Sequence, residues 1–387
     1  VTSSRTRAAA LTGCLVAAAL TLSACGSATS SKTASTGGGS SANAATATSA
    51  AQFGGMDALV AAAKKEGTLN VITLPSNWAN YGAIMAAFTQ KYGIKISDEN
   101  PEGSSQDEIN AVTTRKGQNR APDVLDLGGA FALSGAAQGL FAPYKVATFS
   151  DIPAGQADPN GLWTNDYGGY ISIGCNATKI AVCPKTFADL LKPEYKGEVA
   201  LNGDPTQANA AFSGVFAAAL SNGGSLSNIT PGLAYFTKLK KAGNFNPVQA
   251  TQATVESGET PITVDWDYLS AGYASAFKSK GINWQVSVPS DGVYASYYNQ
   301  AINKWAPHPA AARLWEEFLY STQGQNLFLQ GFARPVEFAA MQSAGTLDSA
   351  AAALLPTVSG TATFPTQAQI TSAKATVASG WAAAIAG

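Results

Sequence analysis

Charge is scarce in this chain and histidine nearly missing. Only 13% of the 387 residues are charged, about half the usual fraction. The 24 basic and 25 acidic side chains almost cancel. With no basic cluster, nucleic acid is not an expected partner. The single histidine, His308 in Ala306-Pro307-His308-Pro309, leaves no His-rich metal motif. No Gly-Lys dipeptide marks a P-loop and no Gly-x-Ser-x-Gly elbow marks a serine hydrolase. Beyond the N-terminal segment, no run approaches the ~18–20 apolar residues of a spanning helix.

What is present begins with Arg5 and Arg7, an Ala/Leu/Val run, and Leu22-Ser23-Ala24-Cys25. A basic head, a short apolar core and small residues before a cut site read as a secretory signal. The last four residues resemble the lipobox of bacterial lipoproteins, in which the cysteine is diacylated and becomes the mature N-terminus. That resemblance implies a signal peptide over 1–24 and a lipid on Cys25. It implies an extracytoplasmic protein anchored to the cell membrane by its N-terminal lipid. Residues 25–55 are rich in Gly, Ser, Thr and Ala and read as a flexible tether. A span of about 28 such residues reaches roughly 30 Å. With Cys14 in the signal and Cys25 lipidated, Cys175 and Cys183 remain as an even pair in an oxidising compartment. A disulfide is predicted, the alternative being two buried thiols; a metal pair lacks further ligands.

The body alternates strands and helices. A helix over 57–65 leads to a strand over 68–73. Tyr81, Ile84, Met85, Phe88 and Tyr92 follow helical spacing. A strand over 94–96, a helix over 106–115 and a strand over 123–127 come next, ending at Gly128-Gly129 and another helix. The extended run 167–176 breaks this rhythm. A second series follows: a helix over 186–191, a strand over 198–202, a helix opened by Asp204-Pro205, a helix over 231–241 and a strand over 261–265. Strands over 284–289 and 297–302 lead back, and helices over 309–320 and 322–329 close the series. The pattern predicts two doubly wound α/β lobes with mostly parallel sheets, joined by crossovers near 167–176 and 285–300.

Several segments stand in a characteristic order: Gly67-Thr68-Leu69-Asn70-Val71, Gly139-Leu140-Phe141-Ala142-Pro143-Tyr144, the run 186–197, Asp204-Pro205, and residues 306–312, 321–325 and 331–336. Together they resemble the two-lobed substrate-binding proteins of bacterial ABC importers (the type 2 periplasmic-binding-protein family). The subgroup most similar is that of ferric-ion, polyamine, thiamine and 2-aminoethylphosphonate binders. The resemblance implies a hinge, a ligand cleft between the lobes, and delivery of a small solute to an ABC permease without catalysis or cofactor. It implies lobe I from 56–166 with about 295–345, and lobe II from 167–294 with about 346–387. A monomer is expected.

Ligand loops belong at the carboxyl ends of strands. There the chain offers Trp78 as an aromatic wall for a cation and Gly129 for close backbone approach. Thr206 and Asn209 lie at an expected helix start suited to an anion, where Asp204 could equally be only an N-cap. Asp265, Trp266 and Asp267 form the sharpest cluster, two carboxylates flanking an indole. Of Tyr294, Tyr297 and Tyr298, one is expected to face the cleft, and Tyr294 is taken as the candidate. Aromatics with aspartates favour an organic cation such as a polyamine or thiamine. Ferric ion lacks the usual tyrosine pair, and 2-aminoethylphosphonate lacks a nearby Lys or Arg. An anchored carboxylate-dependent glycoside hydrolase is the alternative of another class, but Asp265 and Asp267 share one loop instead of facing each other across a cleft.

Overall fold

The structure, a computed structural model, describes residues 43–360 and 364–386. The signal segment, Cys25 and the first part of the tether lie outside the described residues.

The first series runs α1 (Met56–Glu66), β1 (Thr68–Ile72), α2 (Tyr81–Tyr92), β2 (Lys95–Glu99), α3 (Ser105–Thr114), β3 (Val124–Gly128), α4 (Gly129–Ala137) and β4 (Phe141–Ala142). Gly67 and Gly93 end α1 and α2 in the left-handed region, where glycine carries no Cβ penalty. Ser104 and Asp107 close a capping box on α3. The long strand β5 (Thr164–Asn176) opens the second series. It continues with β6 (Val199–Leu201), α5 (Asn209–Ser221), α6 (Thr230–Lys241), β7 (Phe245–Asn246), α7 (Gln252–Ser257), β8 (Ile262–Trp266), α8 (Asp267–Phe277) and β9 (Trp284–Ser287). The chain returns through β10 (Ala295–Asn303) to α9 (Pro309–Leu319), α10 (Thr322–Gln330), β11 (Arg334–Pro335), α11 (Phe338–Ala344), α12 (Ser349–Ala352) and α13 (Gln367–Ile385).

The main sheet has nine strands in the order β3-β10-β5-β8-β6-β7, with β4 on β10 and β9 and β11 on β5. Strands β1 and β2 form a parallel pair. Within the second series β6 pairs in parallel with β7 and β8. The crossover strands pair antiparallel, so the sheet is less parallel than the sequence pattern predicts. The first half of β5 pairs with β10 (Tyr170 opposite Ala295) and its second half with β8 (Ile171 opposite Trp266). One continuous strand therefore runs through both lobes, and the chain crosses back between β9 and β10.

Three local expectations are corrected. The helix expected over 186–191 is only a 3-10 turn at Asp189–Leu191. Asp189 Oδ2 accepts from the N–H groups of Lys185 and Thr186 there, and Pro193 follows. The helix expected from Asp204 begins at Asn209. Asp204 Oδ1 instead accepts from Thr206 N and Oγ1 at 2.7 Å in a local turn, and Ala208 is extended. The end of the expected tether is folded onto the body. Arg313, buried in α9, donates to the carbonyls of Ala45 and Ala47, and Lys145 N donates to Thr48 O. Small alanines let that segment lie close over a guanidinium whose remaining acceptor is Pro309 O.

Cys175 and Cys183 form a disulfide with a Cα–Cα distance of 5.8 Å, closing a loop of eight residues' separation at the end of β5. Replacing both cysteines by serine is expected to lower unfolding free energy by about 2.5 kcal/mol. Urea unfolding measures it; an unchanged midpoint would refute a structural role. Among the described residues no helix is long and apolar enough to cross a membrane.

Candidate functional site

A cavity of about 240 Å³ lies between the two α/β series. Loops after β1, β2 and β6, the start of α3 and the start of α5 line it, together with Asp126 of β3 and Tyr298 of β10. The lobes meet across it: Gln106 N donates to Gln207 O at 3.4 Å. A Cβ on Gly128 would overlap Asn209.

The lining has one charge type. It contains five carboxylates (Glu102, Asp107, Glu108, Asp126 and Asp204) and, among the described residues, no lysine, arginine or histidine. Trp78, Tyr273 and Tyr298 supply aromatic surface. Two of the five acids are engaged locally. Asp107 accepts from Ser104 in the α3 capping box, and Asp204 accepts from Thr206.

Asp126 is different. It lies in a strand buried at every position, at 5% exposure. Its Oδ2 accepts from the Tyr167 hydroxyl at 2.7 Å, and its Oδ1 has no hydrogen-bond partner. A buried acceptor left open is costly in a finished core, so it marks a place where a donor is missing. Burial pushes the Asp126 carboxyl up to about 7, against which the Tyr167 hydrogen bond works. Glu108 accepts from Asp126 N at 2.8 Å, and burial, then the nearby Asp126, raises it well above the carboxylate range. Both carboxyls are thus held above their ordinary range, Asp126 near neutrality.

Trp78 lines the same cavity and is linked to the Asp126 carboxylate through Tyr167. Its Nε1 donates to Tyr167 Oη at 2.7 Å. Its ring packs edge-on to Tyr268 and Tyr298, with centroids 6.0 and 5.5 Å away. The loop carrying it holds three non-glycine residues at positive φ: Thr73 (56°), Ala79 (44°) and Asn80 (69°). Such backbone is strained, most of all for β-branched Thr73. Asn80 Nδ2, donating to Leu327 O at 2.8 Å, is one of the bonds that hold it.

Of the residues singled out from sequence, the structure brings Trp78 and Asn209 to the cavity. Thr206 is half-buried beside it, bonded to Asp204. Gly129 opens α4 and lines a separate cavity against Ile370, while its neighbour Gly128 faces Asn209. Asp265, Trp266 and Asp267 are fully buried beneath the cavity. Asp265 accepts from Asn202 Nδ2 and Trp266 N, and burial raises its carboxyl to about 7. Asp267 accepts from Tyr170 N at 2.9 Å and pairs with Arg334 at 2.6 Å, so its charge is met inside the protein. Tyr294 stacks on Phe216 (centroids 5.0 Å) in the second-series core, and Tyr298 is the return-strand tyrosine that lines the cavity. Sequence reading did not single out Asp126 and Glu108, which line the cavity, or Tyr167, which bonds to Asp126. The signal was available for the first: a carboxylate inside the apolar strand Val124-Leu125-Asp126-Leu127 needs a reason.

Two α/β series around an acidic cleft, crossed twice by hinge strands, define a two-lobed solute-binding protein. The chain belongs to the bacterial extracellular solute-binding protein family, which it matches over residues 119–358. Such proteins bind small molecules outside the cytoplasm and serve ABC importers; they are binding proteins, not enzymes. No curated protein sequence matches the chain. Its fold is similar to that of AgtB from A. tumefaciens R10 in complex with agropinic acid. The identity is 19% and the TM-score 0.63, covering 83% of this chain and 99% of that one. It is also similar to iron-bound HitA from Pseudomonas aeruginosa (22% identity, TM-score 0.56, covering 80% and 97%). A third is AfuA from Actinobacillus pleuropneumoniae with fructose-6-phosphate bound (20%, TM-score 0.58, covering 71% and 86%). One fold thus holds an organic acid, a metal ion and a sugar phosphate, so the ligand must be argued from side chains.

Proposed function

We propose that this protein captures a small organic cation and hands it to an ABC permease. The observation that carries the reading is the cavity lining: five carboxylates, three aromatic rings and no basic side chain among the described residues. An ammonium can complete the open Asp126 Oδ1 and meet the aromatic faces, each charge-assisted bond being worth ~1.5–3 kcal/mol. The cavity, about 240 Å³, falls below the ~300–1,000 Å³ of sites for drug-sized ligands. That favours a short polyamine over the bulkier thiamine. An anion such as 2-aminoethylphosphonate would meet like charge. For ferric ion, no group of three or more His, Cys, Asp or Glu among the described residues is placed to hold a metal. Asp265 and Asp267 do not line the cavity, which weighs against a glycosidase.

In this reading lobe I comprises 56–166 with about 295–345, and lobe II 167–294 with about 346–387. A monomer, tethered by a lipid on Cys25, binds on one lobe and closes over the ligand. A thermal-shift series at pH 8 with 1,4-diaminobutane, spermidine, thiamine, 2-aminoethylphosphonate and ferric citrate tests the ligand class. Amines are expected to raise the melting temperature, because binding stabilises the folded state by RT ln(1 + [L]/Kd). A shift with ferric citrate or the phosphonate alone would overturn the reading.

A further inference from the structure

The strand that runs through both lobes also carries the side chain joining the two halves of the candidate cation site. Tyr167 of β5 is fully buried. Its ring stacks with those of Phe328 and Tyr298 at centroid distances of 4.6 and 5.6 Å. Packed into this buried aromatic cluster, the ring holds its hydroxyl in place. That hydroxyl accepts the Trp78 Nε1 proton and donates its own to Asp126 Oδ2, both at 2.7 Å. A phenol has a single proton to give, so the chain Trp78 to Tyr167 to Asp126 runs in one direction. It ends on a carboxylate whose other oxygen is unpartnered.

We propose that Tyr167 is the positioning residue of the cleft: through one hydroxyl it fixes both the carboxylate and the indole against which an ammonium is held. The proposal rests on the organic-cation reading above. Its second consequence is electrostatic. The phenols of Tyr81 of α2, Tyr268 of α8, Tyr298 of β10 and Tyr320 after α9 face Asp126, and the Tyr81 hydroxyl favours its ionised form. The carboxyls that face it, Glu108 of α3, Asp166 of β5 and Glu316 of α9, disfavour its charge. Among the described residues that line the cavity there is no cation to offset them. The Tyr167 donor is the first of the contacts that favour the ionised form.

Tyr167→Phe keeps the stacked ring and removes the relay. In ligand-free, carbon-13-labelled protein, the Asp126 carboxyl resonance, assigned with Asp126→Asn, is expected to titrate near 7. In Tyr167→Phe its midpoint should rise by about one pH unit, tenfold in the ionisation constant. Calorimetry with 1,4-diaminobutane should show about fivefold weaker binding at pH 7, with the gap narrowing by pH 9 as Asp126 ionises in both proteins. Should Tyr167→Phe fail to fold, Trp78→Phe removes the other bond of the relay and is expected to shift the midpoint the same way by less. An unmoved midpoint overturns the positioning role even if the amine binds. A moved midpoint with no amine binding in the unaltered protein at any pH overturns the cation reading and leaves the relay standing.

Discussion

Asp126→Asn is expected to weaken binding of 1,4-diaminobutane by two orders of magnitude or more, and to leave the ligand-free protein at least as stable at pH 8. Removing one partner of a buried, hydrogen-bonded charge pair costs ~2–5 kcal/mol of binding, and about 3 kcal/mol is a hundredfold. The asparagine is nearly isosteric. With its oxygen accepting from Tyr167, its amide donors fall where Asp126 Oδ1 stood, opposing an ammonium that is itself a donor.

The stability half follows from the sign of the shift. Folding raises Asp126 from its ordinary 3.8 to about 7, so the folded state holds this proton more tightly than the unfolded chain. Its contribution to stability is full below about 4 and is lost as pH rises through about 7. The loss is on the order of a few kcal/mol for a group this buried. Asp265, also fully buried and raised to about 7, works in the same direction. The ligand-free protein should therefore melt lower at pH 8 than at pH 5.5, and Asp126→Asn should narrow that gap. A cationic ligand reverses the trend, because it stabilises the ionised form and its stabilisation grows from pH 5.5 to 8. Melting curves at both pH values, with and without diamine, read all of this. Equal affinity in Asp126→Asn and the unaltered protein would remove Asp126 from the site.

Much of the fold was legible because periodicity, glycine stops and strand ends are local signals. Tyr81, Ile84 and Phe88 did face the core, and Gly67 and Gly93 did end helices. Both crossover strands were also placed near their observed positions. The site was less legible. Asp265 and Asp267 look exposed at a strand end in sequence. Their partners, Asn202 and Arg334, lie 63 and 67 residues away, and no local pattern announces such pairs. Asp126 is the converse case: its strand was identified, but its open oxygen depends on Tyr167, 41 residues on. Trp78, which lines the cavity, could be singled out because an indole in a loop is costly to expose wherever the fold puts it. The tether's folded end was hidden by composition, since Ala45 and Ala47 contribute carbonyls to Arg313 and almost no apolar bulk.

Gly128→Ala is expected to block closure without harming either lobe. Gly128 ends β3 with φ −62° and ψ 146°, a conformation alanine adopts without strain. The new Cβ meets nothing of its own lobe among its nearest atoms. It would overlap Cβ, Cγ and Oδ1 of Asn209, the first residue of α5 across the cleft. Because Asn209 Cβ is itself in the way, no rotamer relieves the overlap and the lobes must part. Overpacking of this kind costs ~1–3 kcal/mol, here charged only to the conformation in which the lobes touch. If ligand is held by both lobes, apparent affinity falls with the population of that conformation, about 5- to 150-fold. Unfolding of the ligand-free variant should be unchanged within about 0.5 kcal/mol. Small-angle scattering should show ligand compacting the unaltered protein but not the variant. Asn209→Gly removes every atom in the overlap, so in the double variant compaction returns. The single Asn209→Gly change measures what its side chain contributes to binding, and a double-mutant cycle separates that from the clash. Full affinity and normal compaction in Gly128→Ala would mean that ligand is held without the lobes meeting at this point, and the hinge-closure mechanism would need another contact to drive it.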